Sequence, residues 1–198
     1  MLKIYNTDVT SGEFSRIDTY EVGSWINLIN PTEVEIDEVV NALGIKKNFI
    51  MSIIDDDEKP RIDEEDGVKM LLLDVPVYEI KNNTKTITTL PIGILVVRND
   101  YIVTVCLQKY SIIDEFTKGK VKEFYTYKKS RFIIQMIYKL ALLYLKVLRE
   151  IDSKIEIAES NILNATKNQE LLNLLSLENS LTYIITALKS NGVVLDKI

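Results

Sequence analysis

Apolar residues recur in steps of three and four from Arg131 to about Lys197, the spacing of helices that bury one face. A break at residues 164–168 divides the stretch, and Thr166 with Gln169 is typical of a capping box that opens a second helix. The pattern therefore predicts two long antiparallel helices. The first would span roughly 50 Å at the usual helical rise. We expect a protruding arm or stalk rather than an element of the core.

Before Arg131 the apolar runs are short and are separated by turns. They predict six strands, near Leu2–Ile4, Phe14–Ile17, Trp25–Ile29, Val68–Tyr78, Thr86–Val97 and Tyr101–Cys106. Pro76 indicates a sheet edge or a bulge. Pro91 and Gly93 are expected to interrupt their strand, and Asn82-Asn83-Thr84 reads as a turn.

Three short helices are predicted between and after these strands. Thr32 and Glu35 have the spacing of a capping box, and Gly44 is placed to end the helix that they start. A second helix is expected from Lys47 to Ile54, and a third from Ile112 to about Lys118. Strands and helices are segregated rather than alternating, which favours an α+β fold.

The fold class we predict is a mixed sheet flanked by helices, an α/β/α-like arrangement, with an appended long antiparallel helical hairpin. The expected domains are a mixed-sheet domain at residues 1–130 and a helical hairpin arm at residues 131–198.

Composition removes several classes of function. The 198 residues include no histidine and one cysteine, and the net charge is −5. Histidine-based catalysis and imidazole metal sites are therefore excluded, and nucleic acid is a poor candidate partner. The glycines form no phosphate-binding loop, and Cys106 lies in an apolar run typical of a buried thiol. We predict that the protein is not an enzyme.

The acidic stretch from Asp55 to Gly67 is the strongest candidate in the sequence for a binding site. Hard divalent cations prefer oxygen ligands, and Mg²⁺ commonly takes one or two carboxylates together with water. The spacing matches no calcium-binding loop, and a solvated acidic surface is the alternative interpretation.

No stretch is expected to cross a membrane, because the most apolar window, Phe132–Leu148, contains Gln135, Lys139 and Lys146. No signal peptide is apparent at the start, and the chain ends within or just after a helical pattern. We therefore expect a soluble piece of a longer protein.

Several stretches, in this order, resemble the cytoplasmic N-terminal region of CorA-type divalent-cation transporters. They are Gly23–Thr32, Gly44–Ile54 followed by Glu58–Asp63, Leu90–Leu95 with Asp100–Val105, and Leu148–Asp152 with Leu177–Asn191. The likeness covers nearly the whole chain, although each motif is short.

The resemblance implies a cytoplasmic ion-sensing domain of a Mg²⁺ transporter, on the cytoplasmic side of the cell membrane. The full-length protein would be a homopentamer, anchored only by stalk and transmembrane helices that are absent here. The implied ion is Mg²⁺, with Co²⁺, Ni²⁺ and Zn²⁺ as further candidates, and none is expected to be required for folding. Mg²⁺ between neighbouring cytoplasmic domains would hold the pore closed.

The residues depart from the family's best-known sensor. Positions that carry acids there fall at Met51, Ser52 and Tyr138 here. The metal ligands we predict instead are Asp55, Asp56 and Asp57. Two other functions remain open: a stand-alone scaffold whose helical arm binds a partner, and an uncharacterised metal-dependent enzyme.

Overall fold

The computed structural model describes residues 1–81, 84–162 and 167–198. The strands are β1 Leu2–Thr7, β2 Phe14–Ile17, β3 Trp25–Ile29, β4 Arg61–Glu65, β5 Val68–Lys81, β6 Thr84–Val97 and β7 Tyr101–Cys106. The helices are α1 Glu33–Leu43, α2 Lys47–Ile53, α3 Ser111–Thr117, α4 Lys129–Ile162 and α5 Lys167–Leu195.

The strands form one sheet in the order β2-β1-β3-β7-β6-β5-β4. Every neighbouring pair is antiparallel except β3 and β7, which run parallel with Trp25 opposite Ile102. The sheet is therefore mixed, and the predicted fold class is confirmed.

Each face of the sheet buries a separate hydrophobic cluster. Met70 and Leu72 pack in the cluster that contains the apolar faces of α1 and α2. Leu71 and Leu73 pack in the other cluster, with α3, α4 and α5. Side chains alternate between the faces of a strand, so one continuous apolar run serves both layers.

The first helix begins and ends as the sequence predicts. The Thr32 hydroxyl accepts a hydrogen bond from Glu35 N, and the Glu35 carboxylate accepts one from Thr32 N. Gly44 caps the other end in the left-handed conformation, at φ 59°. Gly44 lacks a β-carbon and adopts this conformation without strain.

Strand β4 was not expected, because its sequence is mainly charged. Arg61 to Glu65 pair with Leu72 to Val68, and a turn at Asp66-Gly67 joins the strands with positive φ at both residues. β4 is the last strand of the sheet, where charged side chains are common because they oppose pairing with other chains. It therefore lacks the apolar alternation that identifies half-buried strands.

The expected interruption at Pro91 and Gly93 is wrong. β6 stays paired with β5 through both residues, with Pro91 opposite Asp74. Proline has no N–H to donate. At Pro91 none is needed toward β7, because the pairing of β7 with β6 stops at Ile92. A β-carbon at Gly93 would lie 2.2 Å from Ile53 Cδ1, so Gly93 admits the close approach of α2.

Pro76 lies on an edge, as predicted, because β4 pairs with β5 only as far as Leu72. The register with β6 continues through Pro76 without a bulge. The predicted turn at Asn82-Asn83-Thr84 falls on residues 82–83, outside the described part of the chain.

The two long helices are present, but much of the hairpin belongs to the core. The expectation of an arm standing clear of the core is therefore corrected for the first two thirds of α4. The α4 residues buried in the same cluster as Leu71 and Leu73 of the sheet are Phe132, Met136, Leu140, Tyr144, Val147 and Ile151. The division at residue 130 stays a prediction, and the capping box at Thr166 lies outside the described residues.

The segment Leu171–Leu195 in α5 is long and apolar enough to cross a membrane, judged by length and composition alone. No such stretch was predicted from the sequence. Only 17% of the segment is buried, but Ile184, Ala187 and Val194 of α5 pack in the same cluster as Leu71 and Leu73 of the sheet. We interpret α5 as a helix of the folded body.

Candidate metal site

The three predicted ligands lie on the loop that follows α2. The helix ends at Ile53, and Ile54 caps it with a backbone N–H donated to Ile50. Asp55, Asp56 and Asp57 come next and are all exposed. Because the C-terminal end of a helix carries partial negative charge, a cation is favoured here.

The loop brings the three carboxylates together. One carboxylate oxygen from each of Asp55, Asp56 and Asp57 lies within 4.8 Å of the other two. The Asp57 N–H donates to Asp55 Oδ1 at 3.1 Å, which fixes the bend of the loop. The structure therefore assembles the group that the sequence singled out.

The other acids of the same stretch already have basic partners. Arg61 pairs with both Glu58 and Asp63, at 2.6 Å for its Nε–H to Asp63. Lys46 pairs with Glu65 and Asp66 at 2.5 and 2.9 Å. Within the ranges that the structure describes, Asp55, Asp56 and Asp57 form no ion pair.

An exposed group of this kind suits a hydrated cation. Mg²⁺ gives up its water reluctantly and is commonly held by one or two carboxylates with several waters retained. Three adjacent carboxylates also repel one another, and a divalent cation relieves that repulsion. The loop could hold Mg²⁺ loosely and exchange it readily with solvent.

The family follows from comparison with known proteins. The sequence profile of the CorA-like Mg²⁺ transporter protein family matches residues 20–198, almost the whole chain. The chain belongs to this family. The resemblance stated above is confirmed, and the family is one of ion transporters rather than enzymes.

Individual CorA relatives extend the match. The cobalt/magnesium transport protein CorA of Methanocaldococcus jannaschii is 22% identical over 180 residues, covering 86% of this chain and 53% of that protein. The chain therefore spans about half the length of this curated relative.

Two solved structures share the fold. The soluble domain of CorA from Methanocaldococcus jannaschii superposes with a TM-score of 0.84 at 19% identity, covering 98% of this chain and 77% of that one. The ZntB cytoplasmic domain from Vibrio parahaemolyticus gives 0.73 at 11% identity, with the same two coverages. Identities this low establish the fold alone, and both matches include the region of α5.

The three positions that the resemblance assigns to the family's sensor, Met51, Ser52 and Tyr138, form no acidic site. Met51 lies on α2 and is exposed, while the Ser52 hydroxyl donates to Phe49 O at 3.1 Å. Tyr138 is exposed on α4, which packs on the opposite face of the sheet from α2. The Asp55–Asp57 loop begins three residues after Ser52 in the sequence.

A second polar cluster escaped the sequence analysis. Asn191 Oδ1 accepts from Asp74 N at 2.9 Å, and Asn191 Nδ2 donates to Asp74 O at the same distance. The Tyr144 hydroxyl also donates to Asp74 O, at 2.9 Å. The available signal was the acid Asp74 inside the apolar run from Met70 to Val77, but its partner Asn191 lies 117 positions away.

Proposed function

We propose that this chain is the cytoplasmic ion-sensing part of a CorA-like divalent-cation transporter, and that Asp55, Asp56 and Asp57 bind the regulatory ion. The proposal is supported by the convergence of three carboxylates that form no ion pair with the described residues, in a chain matched by a Mg²⁺ transporter family. The ion would be Mg²⁺, with Co²⁺, Ni²⁺ and Zn²⁺ as competitors for the same oxygens.

Ion binding would act by favouring one arrangement of the assembled transporter. A bound ion can shift an equilibrium only by its difference in affinity for the two states. In the proposed assembly, a homopentamer on the cytoplasmic side of the membrane, the loop would gain further oxygen ligands from a neighbouring copy in the closed state. Membrane attachment would come from helices beyond this chain, and residues 131–198 would act as the arm beside the stalk.

The test uses the full-length protein in detergent or lipid, with protection from a protease as the readout. We expect Mg²⁺ to protect the wild-type protein, and the substitutions D55N, D56N and D57N together to remove that protection. The matched control changes three exposed acids on α4, as D152N, E156Q and E159Q, and should retain it. Unchanged Mg²⁺ protection in the first variant would refute the proposed site.

A second function has one observation in its favour. The outward side of α4 exposes four large apolar residues, Ile134, Tyr138, Leu142 and Leu145. An exposed apolar stripe of this kind fits a scaffold whose helical arm binds another protein.

The 198-residue chain is expected to be monomeric or weakly associated, and light scattering that shows a stable pentamer would contradict that expectation.

A further inference from the structure

Strands β5 and β6 continue together past the ends of both neighbouring strands. β4 pairs with β5 only as far as Leu72, and β7 pairs with β6 only from Ile92 onward. Among the described residues of the sheet, 74–81 and 84–91 therefore pair only with each other, and we call this two-stranded segment the ribbon. Because an isolated two-stranded hairpin is marginally stable in water, the ribbon needs support from outside the sheet.

The helical hairpin gives the ribbon an apolar support. The ribbon residues that are buried in the same hydrophobic cluster as the hairpin are Val75, Val77 and Ile87. On the hairpin side, that cluster contains Tyr144, Val147 and Ile151 of α4 and Ile184, Ala187 and Val194 of α5. Removing these surfaces from water favours the ordered ribbon and the docked hairpin together.

Helix α5 also supplies hydrogen bonds to both edges of the ribbon. On the β5 edge, the buried Asn191 side chain accepts from Asp74 N and donates to Asp74 O, each at 2.9 Å. On the β6 edge, the buried Ser180 hydroxyl accepts from Ile87 N at 3.2 Å. The two side chains take the place of backbone groups that a neighbouring strand would offer. Because they lie 11 positions apart on the helix, α5 crosses the ribbon from edge to edge over roughly 16 Å.

Proline removes further donors from these edges. In an antiparallel pair, alternate residues direct their backbone groups away from the partner strand. Pro76 shares this outward direction with Asp74, two residues before it, and Pro91 shares it with Ile87, four residues before it. Neither proline has an N–H to donate, and Pro91 O accepts a hydrogen bond from the Tyr110 hydroxyl at 2.8 Å. At these four positions the ribbon offers no unbonded N–H to another strand.

We propose that the ribbon and α5 form one conformational unit, in which the ribbon is ordered only while α5 lies across it. Local unfolding then releases both together, and the ribbon separates from the sheet where β4 and β7 end. Coupling of this kind acts in both directions, so a displacement of α5 disorders the ribbon and a change in the ribbon loosens α5. The inference rests on the fold and does not depend on the function proposed above.

Amide hydrogen exchange on the 198-residue chain tests the coupling by changing one edge and observing the other. S180A leaves the Ile87 N–H without its acceptor, which should lower the protection of residues 84–91 about tenfold. Because the unit opens as a whole, residues 74–81 and 184–195 should lose protection by the same factor. The protection of β1 and β3, which pair with neither strand of the ribbon, should not change.

The matched control is T182A, which removes another hydroxyl from the same turn of α5. The Ser180 hydroxyl donates to Ser176 O and the Thr182 hydroxyl donates to Glu178 O, so both make the same bond within the helix. Thr182 is exposed, and the bond from the ribbon goes to Ser180. T182A should therefore exchange like the wild type.

A loss of protection confined to residues 84–91 would overturn the proposal. An equal loss in β1 and β3 would do the same, because the unit would then not be separate from the rest of the sheet. If S180A does not fold, exchange of the wild-type chain in low, increasing concentrations of urea decides instead. The ribbon and α5 should then converge on one opening free energy, below that of β1 and β3, and separate values contradict the coupling.

Discussion

The Asp55–Asp57 loop and Asp74 both present carboxylates without basic partners in the described structure, but their surroundings differ. The three acids of the loop are exposed to solvent, and we propose that they bind a cation there. Asp74 is partly buried on the sheet, where its charge is opposed by loss of water. The same functional group is thus open to solvent in one place and disfavoured as an anion by burial in the other.

The largest effect is expected where the buried cluster loses its amide. N191L keeps a similar volume but leaves Asp74 N–H without its partner, and should lower the free energy of unfolding by about 3 kcal/mol. Denaturant unfolding measures it. N179L, on an exposed position of the same helix, should change stability by less than about 0.5 kcal/mol. Equal losses in the two variants would mean that the hydrogen bonds between Asn191 and Asp74 add no particular stability.

Removing the buried charge should stabilise the protein at high pH. The folded-state pKa of Asp74, about 6, lies above its ordinary 3.8, so stability from this group is present below pH 4 and is lost as the pH rises through 6. D74N should therefore be more stable than the wild type by about 2 kcal/mol at pH 8, and nearly equal to it at pH 4. A difference that is constant with pH would contradict this assignment.

Glu35 provides an acid of the opposite kind, well supplied with donors. Burial raises its pKa, but hydrogen bonds from the N-terminal ammonium, Thr32 N and Leu2 N outweigh burial and lower it to about 2. Its contribution is present above about pH 4.5 and is lost as the pH falls through 2. E35Q should cost about 1 kcal/mol at pH 6, after allowance for solvent screening, and almost nothing at pH 2. Urea titrations at both pH values would measure the difference, and an equal cost at both would count against it.

The smallest effect belongs to the exposed loop. D55N, D56N and D57N together should change the free energy of unfolding by less than about 0.5 kcal/mol without added ions. The same variant should lose any stabilisation by millimolar Mg²⁺ that the wild type shows in thermal unfolding. A large loss of stability without Mg²⁺ would show that the loop has a structural role.

The sequence predicted correctly those features that depend on residues only a few positions apart. The capping box of Thr32 and Glu35 and the left-handed Gly44 depend on neighbours within a few residues, and both appear as predicted. The acidic loop was likewise identified because its three members are adjacent. The order of the strands was not predicted, since the parallel pairing of β3 with β7 joins residues 77 positions apart, as the Thr104–Asn27 hydrogen bond shows.

The incorrect predictions share one cause: each feature depends on parts of the fold that are distant in the sequence. β4 is charged because it is an edge, Pro91 is tolerated because β7 has stopped, and α4 is long but covers the sheet with its first two thirds. None of these conditions can be seen within a short window of sequence. The hydrogen bonds between Asn191 and Asp74 are the extreme case, because they join residues 117 positions apart in the sequence.

Because Gly93 has no side chain, the Ile53 side chain of α2 packs directly against the backbone of the sheet there. Any larger residue there would force the last turn of α2 outward, and the loop that begins at Asp55 would tilt with it. The chain could thus lose the geometry of its three outward-facing acids through a change deep in the molecule, with all three still in place.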